Sequence, residues 1–336
     1  MTKRELLYET IAHKNPGKTP QAIHLTGEAY EAYGDLLLAD YPDKQIREDL
    51  ENGKINKWQA VMLSIGNHLL FVQPPWWDWH DPEGVFQKGE DPPDFLPDTR
   101  GFGSYETFFS QCKYLRKNYD VYLVALIYGS YWEKANFLRG IESFLYDLAG
   151  NADWAQSLLD LIIRKNMVML ENILTAPEVD GVLLGSDWGT QNDLIMSPEC
   201  FRTMIKPGEL QEYNLIKKYG KHVFVHSCGC ILRIMGDLVE MGVDCLNPVQ
   251  PECMDLGFLK KEYGAHITYF GGISTQKTLP YGAPEEVKAE TRRVIELMNR
   301  DGGYITSPSQ EIQIDVPYRN LKSLIDTARE FWIYAG

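Results

Sequence analysis

His226 and Cys228 stand two residues apart at the end of the run Val223-Phe224-Val225-His226-Ser227-Cys228-Gly229-Cys230. An apolar, β-branched run of this kind predicts a buried strand, and the two-residue period of a strand puts His226 and Cys228 on one face. On an ideal strand their Cα atoms lie about 6.6 Å apart, a gap that an imidazole reaching forward and a thiolate reaching back can close around one ion. Zinc takes nitrogen and sulfur donors together, so zinc is the expected metal. A purely structural account stands beside it, with Cys228 and Cys230 as small buried residues and His226 as a hydrogen-bonded core histidine.

Other residues with chemical potential also follow apolar runs. Asp187 and Gln191 lie in Ser186-Asp187-Trp188-Gly189-Thr190-Gln191, just past the run Gly181-Val182-Leu183-Leu184-Gly185. A carboxylate there either caps the following turn or touches substrate. Gln250 has the same standing. Gln73 opens Pro74-Pro75-Trp76-Trp77-Asp78-Trp79-His80, in which three of the eight tryptophans occupy four positions. The prolines forbid helix and central strand, so a rigid loop carries the rings. Trp76, Trp77 and Trp79, with Tyr131 and Trp132 past the next strand, either cap the core or form an apolar wall for a ring-bearing or methylated ligand.

The elements that must position these groups alternate along the chain. Strands are expected at 21–25, 67–72, 121–126, 181–185, 223–226, 244–250, 267–270 and 303–307. Helices are expected at about 3–13, 28–39, 56–65, 105–118, 134–148, 152–174, 255–263 and 284–300. A further helix is capped by Ser197, carries Pro198 in its first turn and stops at Gly220; Gly242 ends another, and Pro317 opens the last. The Pro- and Asp-rich excursion at about 74–103 reads as a lid or binding segment. About eight strand–helix units with no linker composition predict an α/β chain folded as one (β/α)8 TIM barrel over residues 1–336, with its chemistry at the C-terminal strand ends. All the clusters above fall at such ends.

Composition narrows the field. At 336 residues, with 44% hydrophobic and 24% charged side chains, the chain can bury a large core. A net charge of −14 with scattered Lys and Arg argues against nucleic acid as a partner. No stretch approaches the roughly 20 apolar residues of a membrane span, and the first residues lack a signal-peptide pattern, so a cytoplasmic location without membrane contact is expected. Six cysteines without tandem spacing read as free thiols or metal ligands. Cys112, Cys200 and Cys253 read as packing residues.

The strand-end motifs resemble the uroporphyrinogen decarboxylase superfamily, which includes corrinoid-linked methyltransferases. The resemblance rests on Ser186 to Gln191, His226-Ser227-Cys228-Gly229, Gly242-Val243-Asp244 with Asn247-Pro248-Val249-Gln250, Phe270-Gly271-Gly272-Ile273, and Gly302-Gly303-Tyr304-Ile305 leading into Asp315-Val316-Pro317. It implies a methyltransferase that moves a methyl group between a small methylated substrate, such as an aryl methyl ether or a methylamine, and a corrinoid carried by a partner protein, with zinc on His226 and Cys228. Asp187, Gln191 and Gln310 are the catalytic residues so implied; Gln73, Trp76, Trp77, Trp79, Tyr131, Trp132 and Gln250 would line the substrate. Gln310 stands where that branch has a cysteine and where decarboxylases have a histidine. Gln is a poor zinc ligand, so the site needs Cys230, Glu311, Cys245 or another donor, or keeps an open position. Otherwise His226 and Cys228 contact substrate directly. Decarboxylation of a tetrapyrrole or other acid is the alternative activity, although Ile23 to Tyr30 offers no arginine for acidic side chains and Gln73 replaces an expected aspartate. A non-catalytic barrel that binds a small molecule or a corrinoid is the third.

Overall fold

The structure is a computed structural model and describes residues 1–77, 86, 89 and 103–333; Trp79 and most of the 74–103 excursion lie outside them. Among the described residues seven strands follow in chain order: β1 (Leu69–Val72), β2 (Tyr122–Ile127), β3 (Gly181–Gly185), β4 (His222–His226), β5 (Cys245–Asn247), β6 (Thr268–Ile273) and β7 (Tyr304–Pro308). Helices separate them, and the fold class is the α/β, TIM-barrel type that the alternation predicts. Contacts group the chain into two compact units, Met1–Leu70 with Tyr114–Tyr122 and Asp244–Gly336, and Phe71–Lys113 with Leu123–Val243.

In the unit that contains the His-x-Cys motif, β2, β3 and β4 pair in parallel. Val124 lies opposite Gly181, Leu183 opposite Phe224 and Gly185 opposite His226. Nearly every residue of these strands is buried, which is why they read as continuous apolar runs. The helices Tyr131–Arg139, Ala152–Leu174 and Lys206–Lys218 pack together over them. The single helix expected at 134–148 is two, Tyr131–Arg139 and Ile141–Gly150, because Gly140 takes φ 83° and redirects the chain. Ser197 does cap its helix, its Oγ accepting from Cys200 N at 3.1 Å. That helix runs through one π-helical stretch, Phe201–Ile205, immediately before Pro207, whose missing N–H interrupts the ordinary ladder.

In the other unit β5, β6 and β7 pair in parallel. The strand expected at 21–25 is reduced to two single bridges, Gln21 to Thr306 and Leu25 to Ile312. Between them the amide of Asn67 stands in for a neighbouring strand: its Oδ1 accepts from Ile23 N at 2.9 Å and its Nδ2 donates to Ile23 O at 2.8 Å. The helix Lys44–Glu51, capped by Asp43, was not expected from the pattern.

Candidate metal centre

The parallel register places the chain after β3 beside the chain after β4. Gly185 lies opposite His226, and Ser186 N donates to His226 O at 2.8 Å, continuing the pairing by one step. Beyond it the two loops are joined crosswise. Trp188 N donates to Ser227 Oγ at 3.1 Å, Cys230 N donates to Thr190 O at 2.7 Å, and Cys228 N donates to Asp187 Oδ1 at 2.8 Å. Trp132 Nε1 holds the Asp187 carbonyl at 2.9 Å. Trp188 is buried edge-on against Phe201, which anchors the middle of its loop.

The result is a cluster of three donors. His226 Nε2 lies 3.5 Å from Cys228 Sγ and 3.7 Å from Asp187 Oδ1, and one ligand atom from each residue lies within 4.8 Å of the others. Around a tetrahedral zinc, bond lengths of about 2.1 Å to nitrogen and about 2.3 Å to sulfur give a nitrogen–sulfur edge of about 3.6 Å. The observed spacing matches. One neutral imidazole, one thiolate and one carboxylate would balance a divalent charge. The side chains are accessible, 13% for His226 and 41% for Asp187, so a ligand can reach the spot. Among the described residues the cluster has three members, the number that leaves one position open in catalytic zinc sites. Within this cluster the third group beside His226 and Cys228 is the Asp187 carboxylate, and Cys230 is not a member.

Behind Asp187 lie carboxyl groups that the sequence reading did not single out. Glu133 is buried, and burial together with the charge of Asp187 lifts its carboxyl to about 7. Glu209 and Glu212, one turn apart on the helix Lys206–Lys218, are fully buried, and burial raises both. Spacing of three on a helix with flanking polar residues signals a solvated face, so nothing in the pattern marks them as internal.

The remaining expected site residues have varied surroundings. Trp77 and Trp132 are fully buried, Tyr131 nearly so, and Trp76 is 9% exposed. Trp77 Nε1 donates to Asn166 Oδ1 at 2.8 Å, and the ammonium groups of Lys134 and Lys165 lie 4.4 and 4.6 Å from its ring. Trp76 Nε1 donates to Gly129 O at 3.3 Å. Gln73 and Gln191 are exposed. In the other unit Gln250 is 7% exposed, with its carbonyl accepting from Cys253 N and Met254 N. Gln310 Oε1 accepts from Glu311 N at 2.9 Å, while burial raises the Glu311 carboxyl and the Cys245 thiol. No helix among the described residues is long and apolar enough to cross a membrane.

Comparison with known proteins agrees with this architecture. A methyltransferase from Methanosarcina mazei superposes with a TM-score of 0.71 at 18% identity, covering 98% of this chain and 99% of that one. A β-mannanase from the blue mussel Mytilus edulis superposes with a TM-score of 0.47 at 11% identity, over 93% and 92% of the two chains. No curated protein sequence matches the chain. The family Uroporphyrinogen decarboxylase (URO-D) matches residues 90–331, most of the chain, and the protein belongs to that family.

Proposed function

We propose that the protein is a methyltransferase that moves a methyl group between a small methylated substrate and a corrinoid held by a partner protein, with zinc bound by Asp187, His226 and Cys228. The observation that carries this reading is the convergence of those three donors at the ends of β3 and β4. Zinc bound there would supply a Lewis acid that polarises an oxygen leaving group or ionises a bound thiol. The chain's own residues set the conditions for that chemistry. Cys228 would supply its sulfur as a thiolate donor, and Asp187, whose Oδ1 accepts the Cys228 amide, keeps its carboxylate beside the same spot. Glu133, its carboxyl lifted to about 7 by burial and by the charge of Asp187, is only partly ionised at neutral pH, which limits the negative charge in the buried space beside Asp187. The substrate class, an aryl methyl ether or a methylamine, comes from the family resemblance; Trp77, Trp132 and Tyr131 are packed inside the core and offer it no surface, while Trp76 is 9% exposed. The stretch Ile23 to Tyr30 offers no arginine for the acidic side chains of a tetrapyrrole, which supports methyl transfer, and the family's description keeps decarboxylation of an organic acid as the second reading.

The test combines metal content with turnover. Protein purified without chelator should hold about one zinc per chain, lost on Cys228→Ser, and should form methylcobalamin from cob(I)alamin and methylated donors. Absence of zinc after reconstitution, together with no methylcobalamin from any aryl methyl ether or methylamine, would overturn the proposal. Carbon dioxide release from uroporphyrinogen would put decarboxylation in its place.

A further inference from the structure

Ser186, the residue before Asp187, is fully buried and committed on two sides. Its amide donates to His226 O at 2.8 Å and its hydroxyl donates to Glu209 Oε1 at 2.9 Å. The hydroxyl of Ser130 lies 3.5 Å from that of Ser186 and itself donates to Gly185 O at 2.9 Å. One turn along the helix from Glu209, Glu212 Oε1 accepts from Asn166 Nδ2 at 2.8 Å, and Asn166 Oδ1 accepts from Trp77 Nε1. The second oxygens of Glu212 and Glu133 have no hydrogen-bond partner among the described residues, whereas the Tyr213 hydroxyl and the Trp132 amide lie against the Glu209 carboxyl beside Ser186.

This is an expensive way to fill a core. A buried carboxyl without full hydrogen bonding is destabilising relative to an apolar side chain of the same size. Glu209 is not one of the three donors, so direct ligation does not account for it. What it does touch is Ser186, the residue that precedes Asp187 in the chain. A serine hydroxyl rotates freely unless an acceptor fixes it, and Glu209 is the acceptor. Groups of this kind, one step removed from the donors, commonly set ligand orientation.

We infer that Glu209 is a positioning residue that acts through Ser186, fixing the backbone that aims the Asp187 carboxylate at His226 and Cys228. Its purpose rests on the metal-binding reading above, whereas the relay itself belongs to the metal-free protein. The Cys228 amide reports it directly, because that N–H is held by Asp187 Oδ1. The Leu123 amide, held by Asp180 Oδ2 at 2.9 Å, reports the stability of the same unit without involving the relay.

The experiment is amide hydrogen exchange on metal-free wild-type, Ser186→Ala, Glu209→Leu and Glu209→Gln proteins, followed by zinc titration of each. Ser186→Ala and Glu209→Leu should speed exchange at Cys228 by about tenfold relative to Leu123, and Glu209→Gln, which keeps an acceptor for Ser186, should restore it to within about twofold. If Glu209→Leu loosens Leu123 as much as Cys228, Ser186→Ala decides, since it removes a single oxygen. Unchanged Cys228 exchange in Ser186→Ala overturns the relay whatever zinc does. A wild-type protein that takes up no zinc but shows the exchange pattern overturns the metal reading and leaves the relay standing.

Discussion

Gly189 and Gly229 meet backbone to backbone. A Cβ on Gly189 would fall 2.5 Å from Cys228 O and 2.8 Å from Cys230 N, and one on Gly229 would fall 2.6 Å from Gly189 C. Neither clash can be relieved by a rotamer change, because the atoms met are main chain. The contact keeps the loop bearing Asp187 against the loop bearing Cys228. Gly189→Ala should therefore push the loops apart, costing about 1–3 kcal/mol in stability and weakening zinc binding about tenfold or more. Chelator competition on the folded variant measures the second effect; wild-type affinity in Gly189→Ala would show that the loop contact does not set the site.

Asp187→Asn separates charge from shape. The amide oxygen still accepts the Cys228 N–H, so the loops stay joined, but the anionic donor is gone. Zinc affinity should fall about 10- to 100-fold, comparable to losses seen when groups supporting a metal site are removed, while thermal stability of the metal-free protein barely changes. Equal affinity for the two proteins would remove Asp187 from the ligand set and return attention to Cys230.

The half of this site carried by one strand was legible in the sequence, and the half carried by two was not. His226 and Cys228 share a face by the period of a single strand, a local property. Asp187 joins them only because Gly185 pairs with His226, and the register between two strands separated by a long helical crossover is set by the packed core. The aromatic runs were visible as rings after strands, but their burial was decided by Asn166 and Lys134, distant in the chain. The break at Gly140 was hidden because the apolar period continues through it and one glycine costs a helix only about 1 kcal/mol. Glu209 and Glu212 look like any charged pair on a helix surface until the fold turns that surface inward.

Asn67 offers a test of the fold itself. Its side chain makes both hydrogen bonds that a neighbouring strand would make to Ile23, in a fully buried setting. Asn67→Ala leaves a buried N–H and a buried C=O unpaired, and each unpaired group costs about 1–3 kcal/mol. A loss of about 2–5 kcal/mol in unfolding free energy is expected from the same source. Denaturant unfolding gives the value, and a loss below about 0.5 kcal/mol, the scale of an ordinary surface substitution, would mean that water or another group replaces the amide.

Burial and the neighbouring Glu209 hold the Glu212 carboxyl well above its unfolded value of 4.5, so the folded state keeps a proton that the unfolded state releases. The sign follows from proton counting. Below pH 4.5 both states are protonated and Glu212 costs nothing through ionisation. Above it only the unfolded chain gives up the proton, and stability falls as pH rises, by at most about 1.4 kcal/mol per pH unit for one proton, until the folded carboxyl ionises as well. Glu133, Glu209, Tyr131 and Tyr213 share this surrounding and are all raised, so none of them offsets the trend. Glu212→Gln retains an acceptor for Asn166 and cannot ionise. Its stability relative to wild type should therefore climb steadily between pH 5 and pH 8, two ends of a range set by about the unfolded carboxylate value and neutral conditions. Urea unfolding at several pH values reads the difference directly, and curves for the two proteins that run parallel across that range would show that Glu212 is ionised in the folded protein and that a compensating charge lies beside it.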